Sequence, residues 1–169
     1  MRSNLALLTL ALGVIPACGA PAPARPAAPC PAAAPAPHAG LQVGLATIYV
    51  DDQDRALRFY TEVLGLTKKD DVVNGGYRWL TVTAADHPDG GQLQLALDVD
   101  PAARAFQEAL FAQGQPAAML FTADLAGDYQ RIQARGGEFM VPPTDVTFAT
   151  IAMVKDTVGN LVQLTELHR

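Results

Sequence analysis

From Leu41 onward the hydrophobic positions change rhythm in a fixed order. Residues 41–50 alternate apolar and polar and are rich in β-forming side chains, the period-2 pattern of a strand. Asp52 then stands where a helix N-cap belongs, and Ala56, Phe59, Tyr60, Val63 and Leu64 recur at helical spacing as one apolar stripe. Gly65 follows where a helix end calls for a left-handed residue. Strands are predicted at 66–72, 76–84 and 91–98, parted by Asn74-Gly75-Gly76 and by the loop 86–91. A linking helix spans 100–114. Asp100 caps it, Pro101 takes the first helical position, where its missing N–H does no harm, and Gly114 closes it.

The same order then returns. Residues 116–123 predict a strand and Asp124 a cap, and Leu125, Tyr129 and Ile132 form a helical stripe ended by Gly136-Gly137. Strands are predicted at 137–142, 146–154 and 160–167, with Pro142-Pro143 and 156–159 as turns. Asp52 and Asp124 lie 72 residues apart, Gly65 and Gly136 71 apart. Two independent landmarks sharing one offset make an internal repeat. The class is α+β: a βαβββ module at 41–98, the linker, and a second module at 116–167, within a globular region 41–169.

The stretch before this region is of another kind. A single positive charge precedes an apolar run of about eleven residues, Leu5–Ile15, the proportions of a signal peptide and short of the ~20 residues of a membrane span. Ile15-Pro16-Ala17-Cys18 resembles the bacterial lipoprotein cleavage box, which implies lipidation at Cys18 and a place in the bacterial cell envelope. Ordinary signal cleavage near Ala20, and a misassigned start ahead of a cytoplasmic domain, are the competing readings. Residues 19–40 hold seven prolines among alanines, a composition that favours extended polyproline conformation and suits a tether. Both cysteines, Cys18 and Cys30, fall in these segments, so the globular region has no thiol nucleophile and no internal disulfide. The net charge is −5, and Lys68-Lys69 is followed at once by Asp70-Asp71; without clustered cations, nucleic acid is not an expected partner.

Val50-Asp51-Asp52, the run Phe59 to Gly65, and the run Asp156 to Leu164, in this order across a repeat, resemble the vicinal oxygen chelate family, the glyoxalase/bleomycin-resistance/dioxygenase group. The resemblance covers 41–167. It implies two modules whose sheets together form an incomplete eight-stranded barrel around a ligand cavity. Strand alternation then sorts the side chains. Ala46, Ile48 and Val50, Leu80 and Val82, Leu93, Leu95 and Leu97, and Val162 and Leu164 belong to the helix-facing rows. Leu45, Thr47, Tyr49, Gln92, Gln94, Ala96, Ala117, Met119, Phe121, Leu161, Gln163 and Thr165 belong to the concave side. Trp79 points to the cavity with Thr81, although a core position is the alternative. The expected ligand-binding set is Leu45, Thr47, Tyr49, Trp79, Gln94, Met119, Phe121 and Gln163.

Metal-using members of that family place four His, Glu or Gln ligands on the first and last strands of the modules. By the resemblance these positions fall on Leu45, Ala117, Gln94 or Ala96, and Gln163. Two are hydrocarbon, and two amide carbonyls do not hold a divalent ion against water, so no metal cofactor is expected. His38 lies in the tether, His87 in a Pro/Gly loop and His168 beside the C-terminus, none on a cavity-facing strand. Arg78 carries an anionic ligand group or, in the favoured reading, pairs with Asp70 or Asp71. Three functions stay open: capture of a small apolar or aromatic ligand without metal; a glyoxalase-like lyase/isomerase or dioxygenase using a divalent metal at an atypical site; and an envelope scaffold with a vestigial cavity. A homodimer is the expected assembly.

Overall fold

The computed structural model describes residues 44–168; the stretches expected to be a signal and a tether, with Cys18, Cys30 and His38, lie outside the described residues. The first module runs β1 (Leu45–Val50), α1 (Gln53–Arg58, continued by a π-helical turn Phe59–Val63), β2 (Thr67–Asn74), β3 (Tyr77–Thr83) and β4 (Gln92–Leu97). After the linking helix α2 (Pro101–Ala112) come β5 (Ala118–Phe121), α3 (Leu125–Ala134), β6 (Glu138–Val146), β7 (Ala149–Lys155) and β8 (Leu161–Leu167). Each module is one four-stranded sheet, ordered β1-β4-β3-β2 and β5-β8-β7-β6, with the first and last strands parallel and the hairpins antiparallel. The two sheets stay separate, so no barrel closes within the described chain.

Local chemistry produces these elements. Asp52 accepts from the N–H groups of Asp54 and Arg55, and Asp124 from that of Gly127, as N-caps should. Gly65 and Gly136 both sit at φ +87°, the left-handed residues that end the two helices. Gly75 and Gly76 both have positive φ, the requirement of a tight two-residue hairpin turn between β2 and β3. The helical stripe of the first module is not α-helical throughout. Leu64 N–H reaches the carbonyl of Phe59, and this wider turn buries both Phe59 and Tyr60 although they are adjacent.

The expectation of a turn after residue 141 is overturned. Pro142-Pro143 do not form a turn; β6 runs through them to Val146, with shifts in its pairing to β7 on either side of Val141. β6 is an outer strand of its sheet, where a missing backbone N–H is tolerated and irregular pairing is common.

The core lies between the modules, on the helix-facing sides of both sheets. Ile48, Val50, Tyr60, Leu80 and Leu95 join Leu125, Ile132, Val154, Val162 and Leu164 in one buried cluster. Each such side chain contributes roughly 1.5–3 kcal/mol by leaving water. Leu97, expected in this row, is exposed at the end of β4. Polar seams cross the same contact. Arg131 Nη1 donates to the carbonyls of Val63 and Leu64, closing the end of the first helix from the second module.

Candidate functional site

On the first sheet the faces turned away from the core carry Leu45, Thr47 and Tyr49 of β1, Gln94 of β4, and Tyr77, Trp79 and Thr81 of β3. Pairing of Thr47 with Gln94 and of Thr81 with Gln94 sets these side chains abreast. Thr47 Oγ1 donates to Gln94 Oε1 at 3.0 Å, and Gln94 Nε2 donates to the Tyr77 hydroxyl at 2.5 Å. Gln94 is 7% exposed, fixed at both ends of its amide. Trp79 is 37% exposed, so it lies on the open face and not in the core. Arg78, one residue earlier, points to the helix side. It donates to Asp71 at 2.8 Å and to Asp54 at 2.6 Å, the salt-bridge reading with Asp71 as partner. The Arg78 guanidinium, with help from Lys68, holds the Asp71 carboxyl well below the usual carboxylate range.

The second sheet repeats the row. Met119 is abreast of Gln163 and Phe121 of Thr165. Gln163 Nε2 donates to Thr165 Oγ1 at 3.0 Å. Met119 and Phe121 are 50% and 66% exposed. Gln53 and Leu125, or Tyr77 and Ala149, start matching elements 72 residues apart, whereas Gln92 and Leu161 are 69 apart because the loop after β3 is longer. With that correction Gln94 and Gln163 occupy equivalent places, as do Thr47 and Met119. In the repeat, Gln94 and not Ala96 is the counterpart of Gln163.

The eight expected residues therefore form two rows, five on the first sheet and three on the second, and not one pocket lining. A cavity of about 780 Å³ lies elsewhere, between the β3–β4 loop (Ala84 to His87 and Gly91) and Leu120, Phe121, Arg131 and Ile132. A second, of about 700 Å³, adjoins it between Phe121 to Ala123 and Glu166 to His168. Of the expected set, only Phe121 lines either of them. Glu166 accepts the N–H of Leu125 at 2.8 Å and so helps cap α3.

One residue of the first face escaped the sequence reading. β2 holds an extra residue between Lys68 and Asp71, and Asp70 turns to the open face, where its N–H donates to Thr81 Oγ1 and its Oδ2 accepts the Thr81 hydroxyl, both at 3.1 Å. The signal was present: adjacent strand residues point opposite ways, so if Asp71 pairs with Arg78 beside the helix, Asp70 belongs to the other face.

As a metal centre of the family's usual kind, the donor set does not fit. Leu45 and Ala117 offer hydrocarbon, the Gln94 amide is committed to Thr47 and Tyr77, and the Gln163 amide nitrogen to Thr165. Among the described residues no three His, Cys, Asp or Glu side chains converge. His87 sits in an exposed loop beside Asp86, and His168 touches Thr150 at the surface.

Residues 42–164 match the Glyoxalase/Bleomycin resistance protein/Dioxygenase superfamily. The chain is 41% identical over 126 residues to the uncharacterized protein YurT of Bacillus subtilis (strain 168), covering 75% of this chain and 99% of YurT. Among solved structures it is similar to UcmS2, with 31% identity, a TM-score of 0.65, and coverage of 75% of this chain and 98% of that one. It is also similar to TnmS3, described as an antibiotic binding protein from Streptomyces sp. CB03234, at 27% identity, a TM-score of 0.60, and coverage of 77% and 98%.

Proposed function

The chain belongs to the glyoxalase/bleomycin resistance protein/dioxygenase superfamily, and from that premise we propose that it captures a small apolar or aromatic molecule on the open faces of its sheets, without a catalytic metal. The observation that carries this reading is the composition of the two rows. Trp79, Tyr77, Met119 and Phe121 supply exposed apolar surface, and Gln94 and Gln163 stand at matching positions as oriented amides. Apolar walls with a few fixed polar groups are what small-molecule capture requires. The similarity to TnmS3, an antibiotic binding protein, supports the same reading. Each row lies open in the single chain, so a second copy facing it would enclose the ligand; a homodimer is the assembly we propose. Export, and lipidation at Cys18 that holds the domain at the bacterial envelope, complete the proposal. They are supported by the apolar run and box of residues 5–18.

Thermal unfolding across a panel of planar aromatic and amphiphilic molecules, with elemental analysis of the same preparation, tests it. A molecule that binds only the native state at about a hundred times its Kd stabilises by about 2.7 kcal/mol, a readable rise in Tm. We expect such a molecule in the panel, metal far below one atom per chain, and a particle of two chains in solution. Stoichiometric Zn, Ni, Mn or Fe with turnover that depends on it would replace capture with catalysis.

A further inference from the structure

The open face of the first sheet holds a carboxylate that no neighbour neutralises. Building on the capture reading above, we propose that the ligand carries a cationic group seated on Asp70 beside Trp79. Asp70 is half-buried, and its only side-chain hydrogen bond among the described residues is the one accepted from Thr81. Every cation on the surrounding strands is engaged elsewhere. Lys68 pairs with Asp71, Lys69 donates to the Pro88 carbonyl and lies near Asp89, and Arg78 is held between Asp71 and Asp54. Among the described residues, no Lys, Arg or His pairs with Asp70.

A ligand lying on this face covers that carboxylate. Thr81, its partner, is abreast of Gln94, and Trp79 follows two residues along the same face of β3, opposite Val72. Covering an ionised carboxylate with an uncharged body strips its water and returns nothing, whereas a cation returns a charge-assisted hydrogen bond. The same cation meets the face of an indole, which attracts positive charge. The second sheet has no counterpart at this place: Pro142 stands 72 residues on from Asp70, and the charges that β6 and β7 bring to its open face, Glu138 and Lys155, pair with one another. The ligand class is thus a planar or amphiphilic apolar body with an amine or amidine at one end.

Calorimetric titration of the full chain with 9-aminoacridine, a planar cation, and with acridone, an uncharged body of similar shape, separates the claims. The cation should bind about tenfold more tightly or better at low salt, and Asp70→Asn should erase that preference by weakening the cation, while acridone, relieved of covering a charge, binds at least as tightly as before and Tm holds. Trp79→Ala should weaken both probes. Equal affinity of the two probes, with Trp79→Ala still weakening both, overturns the cation and keeps capture. A preference that survives Asp70→Asn overturns the assignment to Asp70. Failure of both probes to bind overturns both claims.

Discussion

The two modules repeat one another in backbone, yet the two turns that enter the contact between them treat their polar groups in opposite ways, one bonding them in the buried contact and the other leaving them in solvent. In the turn 156–160, Asp156 is fully buried and accepts four hydrogen bonds: from the N–H groups of Val158 and Asn160 on Oδ1, and from the Asn160 amide and the Tyr60 hydroxyl on Oδ2. Asn160 also donates to the Tyr49 carbonyl, and Gln107 of α2 bridges Tyr49 and Val158. At an offset of 72 residues, Ala84 stands for Asp156 and Ile132 for Tyr60, and the loop to β4 is three residues longer. That side is hollow, with its cavity of about 780 Å³. The difference teaches that duplication preserves the backbone pattern but not the way a buried contact is satisfied. A polar seam has to be complete, because one orphaned group in it costs as much as several good bonds return. The hollow side leaves polar groups, Asp86 and His87 among them, exposed to solvent, so it has no such demand and can stay unfilled.

The largest expected effect comes from breaking the complete side. Asp156→Ala copies the residue already present at position 84, yet it orphans the donors of Val158, Asn160 and Tyr60, and should lower the unfolding free energy by roughly 3–5 kcal/mol in denaturant titration. His87→Ala on the hollow side should leave the midpoint where it is. Burial pushes the Asp156 carboxyl up from its ordinary value of 3.8, against the pull of its donors. The native state therefore binds this proton more tightly than the unfolded chain does. The contribution is fully present below the ordinary value and is lost as pH rises through the raised one. The gap between wild type and Asp156→Ala should narrow as pH is raised across the mildly acidic range. A gap that widens would reverse the assignment.

The linking helix sharpens the comparison at the next level. Gln107 Nε2 donates at 2.8 Å to Tyr49 and at 2.7 Å to Val158, one carbonyl in each module, whereas on the cavity side Arg131 of the second module reaches across to the carbonyls of Val63 and Leu64. Gly159, with φ +97°, leaves room for it; a Cβ there would come within 2.9 Å of Nε2. Gln107→Ala should therefore lower stability by about 2 kcal/mol and speed amide exchange at 158–160. Gln133→Ala, whose amide donates to the Tyr129 hydroxyl one turn earlier in its own helix, should do neither. Equal effects of the two would mean that the seam needs no seal.

Much of this architecture was legible beforehand because it depends on local rules. Caps at Asp52, Asp100 and Asp124, and left-handed glycines at 65, 114 and 136, mark helix ends through the φ values they require. Alternation placed Ile48, Val50, Leu80, Val82, Val162 and Leu164 in the core, because a strand has only two faces. The family came from ordered runs of residues across the repeat. Less was legible where a property depends on two segments at once. The pairing of β6 through Pro142-Pro143 depends on its being an outer strand, which no window of sequence states. Asp70 reached the open face through an extra residue in β2, and alternation misses such a residue until one of its neighbours is anchored. Periodicity gave side-chain direction at Gln94 and Gln163, but whether two faces meet depends on how modules pack, and helix-facing contacts between Tyr60, Arg131 and the 156–160 turn decided that.

The smallest effect tests whether the packed turn holds strain that the hollow loop does not. Thr157, exposed, has φ +66°, and among the described residues it is the one non-glycine residue with positive φ. A β-branched side chain there crowds its own carbonyl at a cost of roughly 1–2 kcal/mol. The hydrogen bonds of Asp156 on one side and the left-handed Gly159 on the other hold the turn in that shape. The loop 84–91 reverses direction with no positive φ at all. Thr157→Gly removes the crowding but frees the unfolded chain, an opposing effect of roughly 0.5–1 kcal/mol. The net expectation is a gain of about 0.5–1 kcal/mol in unfolding free energy, with ligand binding unchanged, since Thr157 lies on neither open face. A loss of stability would show that the Thr157 methyl or hydroxyl contributes a contact worth more than the strain, and the two turns would then differ in packing alone.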